Sequence, residues 1–238
     1  YVVVNKKGKF VNVPELYKAE YYKSNFFKLS DSLLAYQNLI DLDIFSVSMT
    51  RRMNDRYFVE ELLSLIINDI TDKKISVHNI YQEDFSINKC KELELEFKLI
   101  VDTIHYLNTL HPIVRTRYKQ KNDFYTLFSF YKLKNDFSSN VLKAQYDFLL
   151  LLDFDKKYIS PSNEDCVSLK EYAYNCVSQS NSKKAREKRR EFLISILLNK
   201  SEELNETILD IQEFFNDIGV ETTIKEVENF YFLSNEIL

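Results

Sequence analysis

Glycine occurs only twice in this chain, at Gly8 and Gly219, and proline three times, at Pro14, Pro112 and Pro161, among 238 residues. A sheet-rich protein of this length needs many tight turns, and those turns draw on the backbone freedom of Gly and the fixed φ of Pro. Their scarcity predicts an all-α, mainly helical fold, with about nine or ten helices joined by polar loops. Apolar residues make up 45% and charged residues 29%, the balance of a globular chain able to build one core, or a core plus a lobe. Phe and Tyr number 18 and 16, with no Trp, so aromatic rings must fill much of the space between helices.

The opening "YVVVNKKGKF" is the exception. Its β-branched run reads as a short strand over Tyr1 to Asn5, and a lone strand is unstable in water. The expectation is that residues 1–29 hold the tail of a missing N-terminal domain and a first helix, and that residues 30–238 form the helical domain. A further short extended segment is expected at 10–13.

Helices are expected over "PELYKAEYYKS" from Pro14, over "SDSLLAYQNLI" at 30–40, and over "RYFVEELLSLIINDI" with caps from Asn54 and Asp55. "DLDIFSVSMT" reads as a loop or short turn and "TDKKISVHN" as a polar connector. A long helix should run from about Ser86 to Leu110, with Leu93, Phe97, Ile100, Val101 and Ile104 on its buried face. "KNDFYTLFSFYKL" and "SNVLKAQYDFLLLLDF" give two more. Ser168 with Glu171, and Thr223 with Glu226, have the spacing of capping boxes, the second ahead of a last helix.

Several chemistries find no support. Cys90, Cys166 and Cys176 are odd in number and lack zinc or redox spacing, so free thiols are expected. His78, His105 and His111 contain no i, i+4 metal pair. Two glycines cannot build a phosphate-cradling loop or a Gly-x-Ser-x-Gly elbow. No metal site and no cofactor is expected. No apolar run approaches the roughly 20 residues that span a bilayer, and no signal peptide is visible, so the chain is expected in the cytoplasm, away from membranes. The net charge of −4 gives no support to a protein that coats nucleic acid, though it leaves room for a local basic patch.

Two basic stretches are candidate sites. In "SNSKKAREKRREFLISILLN", Ser182 is a candidate N-cap. Lys183, Lys184, Lys188 and Arg190 fall on the polar side, while Arg186 and Arg189, one turn apart, border the apolar stripe. A charge there needs a partner, either a carboxylate or carbonyl of another helix or a phosphate of DNA. In "SMTRRMNDRYFVEELL", Arg51, Arg52, Asp55 and Arg56 crowd a loop-to-helix junction, with Arg52 able to face an anion and Asp55 an ion-pair candidate.

Three segments, "NKKGKFVNVPELYKA", "RRMNDRYFVEELLSLI" and "SNSKKAREKRREFLISIL", resemble in order and spacing the helical part of a bacterial domain-of-unknown-function family that includes the GmrSD-type modification-dependent restriction enzymes. The matching positions are Asn5, Gly8, Glu15 and Leu16, then Arg52 and Asp55, then Arg186 and Arg189. The family's ParB/sulfiredoxin-like N-terminal domain and its Asp-Gly-Gln-Gln-Arg motif are absent here, as is the HNH-type nuclease domain of many members. The resemblance implies a helical scaffold or coupling domain of a phage-defence NTPase–nuclease, without catalytic residues of its own. Its partners would be the missing nucleotide-binding domain, an HNH nuclease domain and DNA. A helical protein-interaction module and an autonomous nucleic-acid-binding domain remain open alternatives.

Overall fold

The computed structural model describes residues 11–83, 85–134 and 136–235, with backbone alone at 73–76. The strand expected at Tyr1 to Asn5 lies outside these residues, as do Asn5 and Gly8. The described chain is mainly helical, with twelve α-helices and one two-stranded antiparallel sheet. Its packing divides the chain into two compact units, Tyr1–Val101 and Asp102–Leu238. The boundary expected after residue 29 falls inside a helix, Asn25–Leu34.

In the first unit, α1 (Val13–Tyr21) starts at a capping box, in which the Asn12 side chain accepts from the Glu15 N–H and Glu15 accepts from the Asn12 N–H. The extended segment expected at 10–13 therefore gives way to helix at Val13. Where one helix was expected at 30–40 there are two, α2 (Asn25–Leu34) and α3 (Gln37–Ile40), because Ser24 caps earlier and the chain turns at Ala35–Tyr36. The expected loop at 41–50 contains α4 (Val47–Arg51), capped by Ser46. The expected caps of α5 (Asn54–Asn68) are already helical; the preceding Met53 makes the junction with a left-handed φ of 55°. The connector at 71–79 is largely α6 (Lys73–Gln82), so three short helices account for the higher count. α5 is buried around most of its circumference, and α1, α2 and α6 pack on it.

α7 (Ile87–Leu110) matches its expected bounds, and Leu93, Phe97, Ile100, Val101 and Ile104 are all buried. The second unit continues through two 3-10 turns (Ile113–Arg115, Arg117–Lys119) into α8 (Lys121–Leu133), α9 (Ser139–Leu152), α10 (Val167–Val177), α11 (Lys183–Leu197) and α12 (Glu206–Asp217). α11 packs against α8, α10 and α12. The Ser168/Glu171 capping box does not form. Asp210 of α12 takes the Ser168 N–H at 2.7 Å instead, capping α10 from a neighbouring helix.

The last helix expected after Thr223 is a hairpin, β1 (Thr223–Val227) paired with β2 (Phe230–Ser234). Gly219, with φ +75°, ends α12 in the left-handed position that suits glycine. Glu228 and Asn229 both have positive φ, the geometry of a two-residue type I′ turn. Phe230, Phe232 and Leu233 are buried, and β2 packs on α9 and α11. That burial outweighs a helical cap which Thr223 and Glu226 would have made in isolation.

Candidate functional site

Ser182 caps α11, accepting from the Ala185 N–H. The basic run that follows is divided by burial. Lys183, Lys184 and Lys188 are exposed and Arg190 is half-buried, while Arg186 and Arg189 are 2% and 1% exposed. Exposed charges of the run pair locally, Lys183 with Glu187 and Lys188 with Glu191.

Arg189 holds three elements together. Its Nε donates to Thr126 Oγ1 of α8 at 2.9 Å, and its Nη1 donates to the backbone carbonyls of Asn175 in α10 and Ser180 in the following loop. A guanidinium suits this position because its planar fork reaches several acceptors and sheds water more readily than an ammonium. Arg186 lies one turn earlier, its guanidinium carbon 4.2 Å from the centre of the Tyr125 ring on α8, a cation–π contact out of water.

In the first unit, Arg52 faces Glu15, with Nε 3.1 Å from the carboxylate, and its backbone carbonyl accepts from the Asn12 side chain at 2.8 Å. Glu15 and Arg52 come from different segments of the resemblance, and the fold brings them together. Leu16 is half-buried. Asp55 is buried and accepts from the Arg56 N–H, while Arg51 is exposed. Arg56 pairs with the exposed Asp31, donates to Ser30 Oγ and stacks on Phe27.

Two buried polar centres were not anticipated from the sequence. Glu60 of α5 is 0% exposed; its Oε1 accepts from the Tyr81 phenol and the Ser30 hydroxyl, and its buried Oε2 has no hydrogen-bond partner among the described residues. Burial pushes its carboxyl up to about 7, against the lowering influence of the Tyr81 hydrogen bond, the Arg56 charge and the Ser30 hydroxyl. Tyr17, Tyr21 and Phe26 pack around the Tyr81 ring. The sequence carries no local signal for this enclosure, because Glu60, Glu61 and Ser64 fall together on the side of α5 opposite Phe58, Leu62 and Ile66 and read as its solvated face.

In the second unit the centre is Asp123 of α8, which accepts from Arg117 Nε at 3.1 Å, from the Tyr172 hydroxyl at 2.7 Å and from Cys176 Sγ at 3.6 Å. Nothing local in the sequence joins residues 49 positions apart.

The chemistry of these groups is conservative. Burial, with the Asp123 carboxylate next, pushes the Cys176 thiol up to about 12, and burial raises Cys166 to about 12 as well. Neither is a thiolate near neutral pH, so neither is an activated nucleophile. Cys90, Cys166 and Cys176 are all free. Of the histidines, His78 is exposed and stacks on Tyr17. No group of three or more His, Cys, Asp or Glu able to hold a metal ion occurs among the described residues, and no described helix is long and apolar enough to cross a membrane. What the arrangement does is fix helices to one another through buried arginines. No protein-family model, curated protein or solved structure matches the chain.

Proposed function

We propose that this chain is the helical scaffold and coupling domain of a GmrSD-type phage-defence protein, in which the motif arginines are inter-helix ties rather than ligand contacts. The observation that carries this reading is the bonding of those arginines: Arg52 is spent on Glu15, and Arg189 on a hydroxyl and two main-chain carbonyls. A tie of this kind holds helices in a fixed arrangement, which is what a part that couples a nucleotide-binding domain to an HNH-type nuclease domain requires. In this reading Lys183 and Lys184 are solvated charges at a helix start, and DNA is a partner of the parent protein in the cytoplasm.

The test is phage plating on cells expressing the gene that encodes the chain. Wild-type cells are expected to resist. Arg52→Glu should remove resistance, and adding Glu15→Arg should restore it, because the swap rebuilds the pair with its signs exchanged. The Lys183→Ala/Lys184→Ala double variant should remain resistant. Full plating on wild-type cells would refute the defence role. A well-folded charge swap that fails to restore resistance would refute the tie.

A further inference from the structure

We propose that a cleft in the second unit binds a nucleoside phosphate, free or within a strand. It lies between the two 3-10 turns, the loop that follows α9 and the last turn of α10, and has a volume of about 540 Å³, within the range of small-ligand sites. The inference stands apart from the scaffold reading and involves none of the residues on which that reading rests.

The first argument is charge. The chain as a whole is acidic, yet the cleft is lined by Arg115, Arg117, Lys119 and Lys156 against only Asp123 and Asp153. Both carboxylates are engaged within the protein. Asp123 takes Arg117 and the Tyr172 hydroxyl, and Asp153 Oδ2 accepts the Arg117 backbone N–H at 2.8 Å. Arg115, Lys119 and Lys156 are exposed, and no hydrogen bond or ion pair to another described residue holds the Arg115 or Lys119 side chain. Arg115 and Lys119 are therefore available to an anion, and Lys156, whose charge acts on Asp153, lines the cleft beside them.

The second argument is the wall. Phe154 and Val177 are each 67% exposed and line the same cleft, beside Val114 and Pro161. An inorganic phosphate would answer the cations but leave that apolar wall and most of the volume uncovered. An uncharged apolar molecule would leave the cations uncompensated. A planar base joined to a phosphate satisfies both, with the ring against Phe154 and the phosphate on Arg115, Lys119 and Lys156.

The experiment titrates the full chain, at fixed ionic strength, with the common nucleoside monophosphates, adenosine, inorganic phosphate, a short single-stranded oligonucleotide and a poly-glutamate peptide. A monophosphate or the oligonucleotide should bind saturably and about tenfold more tightly than adenosine or phosphate alone, the loss expected when one charged contact goes. Arg115→Glu and Lys156→Glu should each weaken binding about tenfold without changing the melting temperature, since both side chains are exposed. Phe154→Ala should weaken nucleotide binding and leave inorganic phosphate binding unchanged. Tighter, steeply salt-dependent binding of the oligonucleotide would identify a strand as the source, and equal or better binding of the monophosphate a free nucleotide. Absence of saturable binding by every nucleotide and the oligonucleotide, equal affinity for poly-glutamate, or indifference to both charge reversals would overturn the proposal.

Discussion

Glu60 is a carboxyl group enclosed by rings and a single cation, and its titration is the residue-scale consequence of the fold. The titratable groups that face it are Tyr81 of α6, Tyr17 of α1 and Arg56 of its own helix, the last paired with Asp31 of α2. Burial dominates and raises its carboxyl from 4.5 to about 7. A raised carboxyl binds its proton more tightly in the folded than in the unfolded chain, so its stabilisation is complete below 4.5 and is lost as pH rises through 7. The size is roughly 3 kcal/mol, at 1.36 kcal/mol per pH unit. The difference in unfolding free energy between wild type and Glu60→Gln, followed from pH 4.5 to pH 8, should carry this slope and flatten above 7. Other carboxyl groups cancel in that difference. Parallel profiles for the two proteins would mean that Glu60 is ionised and solvated as in an unfolded chain.

Most helices of the second unit carry their own N-caps, at Ser138, Ser182 and Asn205, but one is finished by a residue from elsewhere in the chain. α10 takes its cap from Asp210 on α12, 42 residues on. Asp210→Ala should lower stability by about 1 kcal/mol, the usual worth of an N-cap, measurable by urea unfolding. Ser168→Ala removes the side-chain hydrogen bond to the same Asp210 carboxylate but leaves the backbone N–H its acceptor, and should cost less. At the hairpin, Asn229 holds φ 67°. Asn229→Ala should cost about 1 kcal/mol from the left-handed backbone, and Asn229→Gly should be close to neutral. A helix whose stripe and cap are local, such as α7, where the Ser86 side chain accepts from the Lys89 N–H, was legible to within a residue or two. α6 was not, because its polar surface reads as a connector until α5 is there to receive Val77, Ile80 and Tyr81, which are buried. The hairpin was hidden by a local cap signal that burial of Phe230 and Phe232 overrides.

For the molecule as a whole, scarce glycine and proline made the helical class legible, and the position of Arg186 and Arg189 beside the apolar stripe of α11 made their burial legible. Glu60 and the Arg117–Asp123 pair were not, because the burial of a polar group is decided by partners far away in sequence. The central claim is that the arginine at the heart of the basic run holds the helices together. The measurement that tests it most directly is the urea unfolding free energy of Arg189→Ala, with Lys184→Ala as the exposed control. Losing the guanidinium takes the donor from two main-chain carbonyls and from the Thr126 hydroxyl, which keeps its bond to the Asn122 carbonyl, so a fall of about 3 kcal/mol is predicted, with Arg189→Lys only partly restoring it and Lys184→Ala within about 0.5 kcal/mol of wild type. An Arg189→Ala protein as stable as wild type would contradict the account.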